Sequence, residues 1–298
     1  MSTVSVIIPS FRGGWLLRDA IASVQAQTMT DWELIVVFDG CEDDLSDLEK
    51  GDQRVRSIHQ PRRGASIARN VGVSQARSDL IALLDDDDRM LPDRLLLQCA
   101  AMADPAVNLS HTQYRIIDQH GAAVRDGEAT DCSYLDCLRG ESTILTGTLM
   151  FKKRTFQEIG GYNPLLPHAE GQDFIYRVAR QGKIVFVPQV LYEYRLHDSN
   201  VWFGSSSGTE ETALVLRQHF FAARAHGEAE NLQAVRRALS LIPPPRAAPA
   251  VARASKARSQ GERMAMFGAL AWTFLLAPLF TVRAVWAELS RRSRPPVV

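Results

Sequence analysis

Four consecutive carboxylates, Asp85 to Asp88, have the residue types and spacing to hold a metal ion in this 298-residue sequence. They follow residues 80–84, a short apolar run that predicts a buried parallel strand. Open α/β sheets bind ligands beyond the carboxyl ends of their strands. Adjacent carboxylates repel one another, and a divalent cation is the simplest way to hold them together. All-oxygen ligation suits Mg²⁺ or Mn²⁺ and therefore a phosphate-bearing substrate. The alternative is a solvated acidic loop.

The elements that must position these side chains alternate between strand and helix patterns. Strands are predicted at 4–8, 33–38, 55–58, 80–84, 109–117, 145–151, 184–187 and 190–194, and helices at 15–27, 65–76, 95–102, 174–180 and 209–225. This order predicts an α/β fold with a mostly parallel sheet that helices cover on both faces.

Two further segments accompany the carboxylate run. Residues 4–11 form an opening strand with a turn, and residues 33–40 form a second strand that ends in Asp39 and Gly40. Together with the carboxylates and the helix start at 92–95, they resemble the family-2 glycosyltransferases, which have the GT-A fold. The resemblance covers roughly residues 3–200, and the combination is specific, whereas any one segment alone would be weak. It implies a nucleotide-diphosphate-sugar donor and transfer with inversion at the anomeric carbon.

The resemblance assigns a nucleotide-binding role to residues at the ends of the first two strands. Asp39 matches the family carboxylate that accepts the base N3–H, which favours uracil or thymine over purines. Phe38 stands where the family often has a second Asp, which alters the packing around the base or ribose but leaves Asp39 in place. Pro9, Ser10 and Phe11 are expected to bind the donor as well. The structural alternative for Asp39 is an ordinary turn residue before a glycine.

The carboxylate run matches the DxD motif of the family. Asp87 would ligate the metal, and Asp85 would face the ribose or a metal-bound water. Asp86 belongs with the donor-binding residues, and it and Asp88 could each be an alternative ligand or a solvated neighbour. Asp88 also suits a helix start, where the dipole stabilises a carboxylate. Arg69 and Asn70, from the segment between the base-binding and metal-binding strands, would face the nucleotide pocket, unless Arg69 is an exposed arginine of an ordinary amphipathic helix.

Displacement at the anomeric carbon needs a carboxylate to take the acceptor hydroxyl proton. The family supplies it from a Glu-Asp pair at a helix start shortly before an Arg. Glu170, Asp173 and Arg177 fall in register with that motif, but Gly171 occupies the usual base position. Either Asp173 or Glu170 replaces the base, or the base is absent. We favour Asp173, because it can lie in the first helical turn facing the pocket, a place that also suits a helix cap.

Two residues after the last predicted strand complete the candidate site. His197 resembles a late histidine of the family that reaches the metal or the diphosphate, although a lone histidine is often structural. Arg195 could add positive charge near the leaving group.

The C-terminal part of the chain differs in composition from the rest. Residues 236–298 carry 11 Lys and Arg against 2 Asp and Glu, a formal charge of +9, and the preceding residues therefore carry −9. An acidic body argues against nucleic acid as a partner. Residues 264–282 are 19 uncharged residues with basic side chains on both sides. They could span a membrane, lie in its interface, or pack as a soluble helix, and we favour membrane association.

These observations predict an enzyme in three parts. Residues 1–225 form a GT-A catalytic domain, 226–262 a helical extension with a Pro/Ala/Arg-rich linker, and 263–298 an apolar helix with basic flanks. The four cysteines form no CxxC pair, which suits reduced thiols in the cytoplasm. Together with the apolar C-terminal segment, this predicts a location at the inner face of the cell membrane. The predicted reaction is metal-dependent transfer of a sugar from UDP or dTDP to a glycan or a lipid-linked acceptor of the cell envelope. The alternatives are a non-catalytic nucleotide-sugar-binding protein and a sugar nucleotidyltransferase.

Overall fold

The computed structural model describes residues 3–141, 144–197 and 206–242, without the side chains of residues 206–209. The chain divides into two compact units, Met1–Asp198 and Ser199–Val298. The predicted boundary at residue 225 coincides with the end of a helix inside the second unit. The predicted linker after residue 242 and the apolar segment 263–298 lie outside the described residues.

Nine strands of the described first unit form one mixed sheet. They are β1 (Val4–Ser10), β2 (Trp32–Asp39), β3 (Val55–Gln60), β4 (Leu80–Leu83), β5 (Arg89–Met90), β6 (Val107–Ile117), β7 (Ala123–Asp126), β8 (Met150–Lys152) and β9 (Lys183–Arg195). Their order is β3-β2-β1-β4-β8-β6-β9-β5, with β7 paired to β6. Strands β1 to β4 are parallel, β8 runs antiparallel to β4 and β6, and β9 is parallel to β6. The predicted α/β class with a mostly parallel central sheet is confirmed.

Both units contain helices. The first unit has α1 (Gly14–Gln25), α2 (Ser46–Gly51), α3 (Ala65–Gln75), α4 (Arg94–Ala101), α5 (Tyr134–Arg139), α6 (Lys153–Glu158) and α7 (Glu170–Gln181). The second has α8 (Ser206–Ala225) and α9 (Ala229–Leu241), which contact each other. Among the helices described, none is both long and apolar enough to cross a membrane.

The central parallel strands are buried on both faces. Every residue of β1 and β2 is buried, and Ile8 joins Leu17 and Ile21 of α1 in one core cluster. On the other face α3 lies so close that a Cβ at Gly72 would be 2.4 Å from Cγ2 of Ile7. Because helices cover both faces of the sheet, these strands have continuous apolar sequences. The same packing also fixes the carboxyl ends of β2, β1 and β4 side by side.

Several predicted element bounds are wrong, and three of the differences change the local structure. β1 continues through Pro9, which pairs with Val37, rather than ending there. Residues 145–151 contain a 3₁₀ turn, Thr146–Thr148, before the short strand β8. The two strands predicted around Pro188 are one strand, β9, whose pairing with β6 shifts from Val187 to Val190. A bulge accommodates the proline, which has no N–H to donate to the sheet.

Candidate active site

The three parallel strand ends meet at one edge of the sheet. Ser10 ends β1, Asp39 ends β2, and the carboxylate run follows β4 directly. Ser10 Oγ donates a hydrogen bond of 2.6 Å to Asp86 Oδ2. This contact joins the end of β1 to the carboxylates. The two candidate donor-binding regions therefore flank a common edge, as the strand order requires.

Asp39 lies beneath the start of α3 with its side chain buried. Its carboxylate accepts hydrogen bonds from Gln60 Nε2 at 2.8 Å and from the backbone N–H groups of Arg63 and Gly64 at 2.7 Å each. Gly64 has φ of +92°, which a glycine adopts without strain. A carboxylate has about four acceptor positions, so three protein donors leave one for a ligand N–H.

An aromatic ring and a guanidinium lie above this strand edge. Phe11 is 42% exposed, and Arg62 Cζ is 3.9 Å from the centre of its ring. Arg62 is also packed against Gly40, because a Cβ there would lie 2.7 Å from Arg62 Cβ. The Phe11–Arg62 pair is thus held next to Asp39 and offers a flat surface. Pro9 is buried within β1 and shapes only the strand.

Each of the four carboxylates faces a different partner. Asp85 Oδ1 accepts a hydrogen bond from Arg69 Nη2 at 2.8 Å, and Asp86 Oδ2 accepts one from Ser10 Oγ. Asp87 Oδ2 lies 2.8 Å from His197 Nε2. Asp88 accepts hydrogen bonds from Tyr192 Oη at 2.5 Å and from the backbone N–H of Arg195 at 2.7 Å. This arrangement contradicts the reading of the run as a solvated acidic loop. It also corrects the roles suggested for Asp88, which is 1% exposed and anchors β9 instead of binding a metal or starting a helix.

Burial and mutual repulsion raise the pKa of three of these side chains. Burial first, and then the charges of Asp87 and Asp85, raise the pKa of Asp86 to about 6 although Ser10 opposes the shift. Burial and Asp85 also raise the pKa of Asp87, against the opposing effect of His197. The pKa of Asp88 lies well above its ordinary value for the same reasons. The site therefore carries excess negative charge that a cation would stabilise.

The residues present fit a divalent ion that is shared with a substrate. Within the described ranges no group of three His, Cys, Asp or Glu side chains could hold a metal, and Asp87 with His197 forms a pair. Mg²⁺ typically takes one or two protein ligands and completes its shell with water and substrate phosphates. The Asp87–His197 pair matches that pattern, whereas an all-protein cage would need more ligands.

Arg195 does not lie where the sequence suggested. Its side chain is buried, and its Nε donates to the Asp87 carbonyl at 2.9 Å. Nη1 donates to the Gln119 carbonyl at 3.3 Å, and Nη2 pairs with Asp19. With these nitrogens bonded to protein oxygens, Arg195 holds the turn after β4 and does not face a leaving group.

Arg69 connects the carboxylate run to the start of α7. Its Nη2 contacts Asp85, and its Nη1 lies 3.1 Å from Glu170 Oε1. Burial by itself would lower the pKa of Arg69, but Asp85 and Glu170 outweigh it and raise that pKa. Arg69 therefore remains charged, and it links a donor-side carboxylate to a candidate base.

Asp173 does not face the pocket as predicted. Its side chain is 1% exposed, and Oδ2 accepts from Arg177 Nε at 2.9 Å within the same helix. Arg177 also donates to the carbonyls of Ile159 and Gly161, both at 2.8 Å. Asp173 is thus half of a buried ion pair that fastens α7 to the preceding loop. Nor does it cap the helix, because Ala169 is the N-cap and no side chain caps α7.

Several residues without a motif of their own also shape this site. Tyr192 binds Asp88 and Asp19 binds Arg195. Asn70, which was expected to face the nucleotide pocket with Arg69, instead pairs with both backbone groups of Tyr162 in the loop before α7. Thr146 fills the space above Gly171, where a Cβ would lie 2.1 Å from Thr146 Oγ1. Only Tyr192 has a sequence signal, as one of the alternating aromatic residues of β9.

Comparison with protein families and curated relatives agrees with this architecture. A family model described as "Glycosyl transferase family 2" matches residues 5–167. An "Uncharacterized glycosyltransferase" of Rickettsia felis is 38% identical over 122 residues, which cover 40% of this chain and 20% of that protein. The "Putative teichuronic acid biosynthesis glycosyltransferase TuaG" of Bacillus subtilis is 34% identical over 123 residues, 40% of this chain and 49% of TuaG.

A relative from Escherichia coli, "UDP-Glc:alpha-D-GlcNAc-diphosphoundecaprenol beta-1,3-glucosyltransferase WfgD", is 33% identical over 124 residues, 39% of this chain and 47% of WfgD. The matches to these three relatives span from about a fifth to about half of their length.

Solved structures extend the likeness over nearly the whole chain. S. aureus TarS 1-349 in complex with UDP-GlcNAc matches with a TM-score of 0.66 and 14% identity, covering 99% of this chain and 94% of that one. The complex with UDP matches with a TM-score of 0.63 and 16% identity over the same shares. At this identity the likeness shows the fold, which confirms the predicted GT-A architecture.

Proposed function

This chain belongs to glycosyl transferase family 2, and we propose that it transfers a sugar from a UDP- or dTDP-linked donor to a hydroxyl group with inversion at the anomeric carbon. One observation carries the proposal. Asp39 and the Asp85–Asp87 carboxylates flank Ser10 at adjacent parallel strand ends, and the Ser10–Asp86 hydrogen bond joins the two sides. Such a strand edge is where open α/β sheets bind nucleotides.

The nucleobase half of the site suits uracil or thymine. Both bases carry an N3–H donor, which matches the acceptor position left on the Asp39 carboxylate. The exposed face of Phe11, backed by Arg62, provides a stacking surface next to it. Cytosine and adenine present a ring acceptor at the equivalent edge and would repel Asp39.

The diphosphate half of the site suits Mg²⁺ or Mn²⁺ held by Asp87 and His197. When bound, such an ion neutralises the negative charge that develops on the departing nucleoside diphosphate. Arg195 fixes the Asp87 backbone and Arg69 fixes the Asp85 carboxylate, so both acidic groups are preorganised.

The acceptor is proposed to be a cell-envelope glycan or a lipid-linked precursor. The names of two relatives support this class, since WfgD is named for a diphosphoundecaprenol-linked sugar acceptor and TuaG for teichuronic acid biosynthesis. The uncharged run 264–282 with its basic flanks supports a location at the cytoplasmic surface of the membrane. We expect the full chain in the membrane fraction and a chain truncated after Leu241 in the soluble fraction. Full-length protein that stays soluble without detergent would contradict the membrane part.

The function is tested by donor binding followed by turnover. UDP- and dTDP-sugars with Mn²⁺ should raise the melting temperature, because a ligand that binds only the folded state stabilises it. CDP- and ADP-sugars, whose bases present a ring acceptor to Asp39, should not. Transfer is then measured as release of nucleoside diphosphate in the presence of lipid-linked acceptors, comparing the wild type with Asp87→Asn and with Asp118→Asn, an exposed turn carboxylate. Donor binding without turnover would favour a non-catalytic binding protein, and pyrophosphate release from UTP and a sugar phosphate would favour a nucleotidyltransferase.

A further inference from the structure

We infer that Glu170, the first residue of α7, is the carboxylate that takes the acceptor proton, and that Arg69 is its positioning residue. The inference rests on the proposed function and specifies one residue of its machinery. It replaces our sequence-based preference for Asp173. Its evidence is the surroundings of three positions in the first turn of α7, residues 170, 171 and 173.

The first candidate position, residue 171, is closed to any side chain. Thr146, in the 3₁₀ turn before β8, presents its hydroxyl directly over Gly171, so that a Cβ would lie only 2.1 Å from Oγ1. Atoms in proteins do not approach so closely without one of them moving. The glycine is therefore required by the packing of α7 against this turn, and no carboxylate can stand there while Thr146 keeps its position.

The fourth residue of α7, Asp173, is inaccessible to substrate for a different reason. Its side chain is 1% exposed and its Oδ2 receives two hydrogen bonds from Arg177. An acceptor hydroxyl could reach this carboxylate only if the buried ion pair opened. Opening it would leave a charged group unpaired in the protein interior, which is costly.

Glu170 has the properties that the other two positions lack. Its side chain is 18% exposed, and Arg69 Nη1 holds Oε1 at 3.1 Å. Oε2 receives no hydrogen bond from the part of the chain that the structure describes, so it is available for an acceptor hydroxyl. The same guanidinium binds Asp85 at its other end and packs over the Tyr162 ring, with Cζ 5.4 Å from the ring centre. Arg69 thus sets the place of Glu170 relative to the donor-side carboxylates.

The proton transfer balances without any further reagent. As the acceptor oxygen bonds to the anomeric carbon, the bond from that carbon to the diphosphate oxygen breaks and its electron pair leaves with the nucleoside diphosphate. The acceptor O–H bond breaks and its proton goes to Glu170 Oε2. Arg69 keeps its own proton, since the two carboxylates raise its pKa. After the product leaves, the Glu170 carboxylic acid returns the proton to water.

The decisive variant is Glu170→Gln, which keeps the shape of the side chain and removes the basic carboxylate. We expect kcat for transfer to fall by about 10²–10⁴-fold, the usual contribution of a general base, with UDP affinity unchanged. Glu158→Gln, on the exposed face of α6, is the matched control and should transfer as the wild type does. A Glu170→Gln variant that transfers at the wild-type rate overturns the inference and leaves the proposed function intact. A wild-type protein that binds donor and transfers to no acceptor overturns both.

The positioning role of Arg69 has its own readout. Arg69→Gln should lower kcat by roughly tenfold or more in the wild type and by less than about threefold in the Glu170→Gln background, because residues that act through one another are not additive. Arg69→Lys, which restores the charge, should recover part of the loss. A purely structural Arg69 would give the same fold-change in both backgrounds, and that result would overturn its assignment as the positioning residue.

Discussion

Asp87 Oδ2 and His197 Nε2 lie 2.8 Å apart, although 110 residues separate them in the sequence. The sheet brings them together, because β9 is parallel to β6, β6 and β4 are both antiparallel to β8, and the carboxyl ends of β4 and β9 therefore share one edge. Arg195, two residues before His197, donates a hydrogen bond from Nε to the Asp87 carbonyl. Two anchors at the end of β9 thus shape the turn that carries Asp87.

This pairing predicts that nucleotide binding depends on a divalent ion through Asp87. Mn²⁺ should strengthen UDP binding to the wild type by at least about tenfold over binding in EDTA, because the ion offsets the charge of both the carboxylates and the diphosphate. Asp87→Asn should lose this enhancement, as measured by isothermal titration calorimetry with and without Mn²⁺. Asp118→Asn should keep it. An enhancement of equal size in Asp87→Asn would show that the ion binds elsewhere.

A second prediction concerns Arg195 as the support of the carboxylate turn. Lysine cannot reproduce the separate hydrogen bonds that the guanidinium makes to the Asp87 and Gln119 carbonyls. Arg195→Lys should therefore lower the free energy of unfolding by about 2 kcal/mol, reduced from the usual cost of breaking a buried pair because Asp19 is partly exposed.

The same variant should weaken the Mn²⁺ enhancement of UDP binding while uridine, which has no phosphate, binds as before. Arg115→Lys, in an exposed ion pair, is the control for the exchange of Arg for Lys. Unchanged stability and an unchanged Mn²⁺ effect in Arg195→Lys would contradict a supporting role. Unchanged uridine binding would show that only the carboxylate turn is altered, whereas weaker uridine binding would show that the whole strand edge is disturbed.

The sequence predicts an element well when its own residues carry a clear pattern. The central strands are read correctly because burial on both faces gives them uninterrupted apolar runs. The carboxylate run is placed correctly because it abuts one of those strands. Short elements without periodicity were missed, including β5, β7, α2 and α6. α5 was missed as well, although its Ser133–Asp136 capping box is a recognisable helix start.

The partners of the site residues are harder to predict. Asp88 and Arg195 find their partners across the sheet, in contacts that join residues more than 70 positions apart, and no local pattern encodes them. Asp173 is different, because the Asp173–Arg177 spacing of four residues along a helix already indicates an ion pair. This spacing argues against Asp173 as the base and in favour of Glu170, the other carboxylate in the first turn of α7.

A third prediction tests the contact between Gly171 and Thr146. Gly171→Ala places a Cβ about where Thr146 Oγ1 lies, so we expect a loss of about 1–3 kcal/mol in the free energy of unfolding, as overpacking usually costs. Thr146→Ala removes the obstructing hydroxyl, and the double variant should recover most of the loss. Urea unfolding midpoints measure all three variants.

Gly51→Ala is the control for this cycle, because nothing lies within 4 Å of the Cβ that it would add. It should leave the unfolding midpoint near that of the wild type. If the effects of Gly171→Ala and Thr146→Ala simply add, the two residues are not in contact and residue 171 could accept a side chain. That outcome would remove one of the arguments for Glu170.

A fourth prediction follows from His111, whose ring is buried in β6 and stacks on Phe186 with 5.0 Å between ring centres. Burial lowers its pKa to about 4 from an ordinary value of 6.5. Between these values the unfolded chain takes up a proton that the folded protein does not, so stability falls as the pH drops from 6.5 to 4. Integrated over that range, His111 contributes up to about 3 kcal/mol of acid destabilisation.

His111→Leu should flatten the fall in urea midpoint across this window, whereas His120→Gln, at an exposed turn, should retain it. A wild-type and a His111→Leu curve that run parallel from pH 6.5 to 4 would mean that burial does not lower the pKa of His111 below that of the unfolded chain.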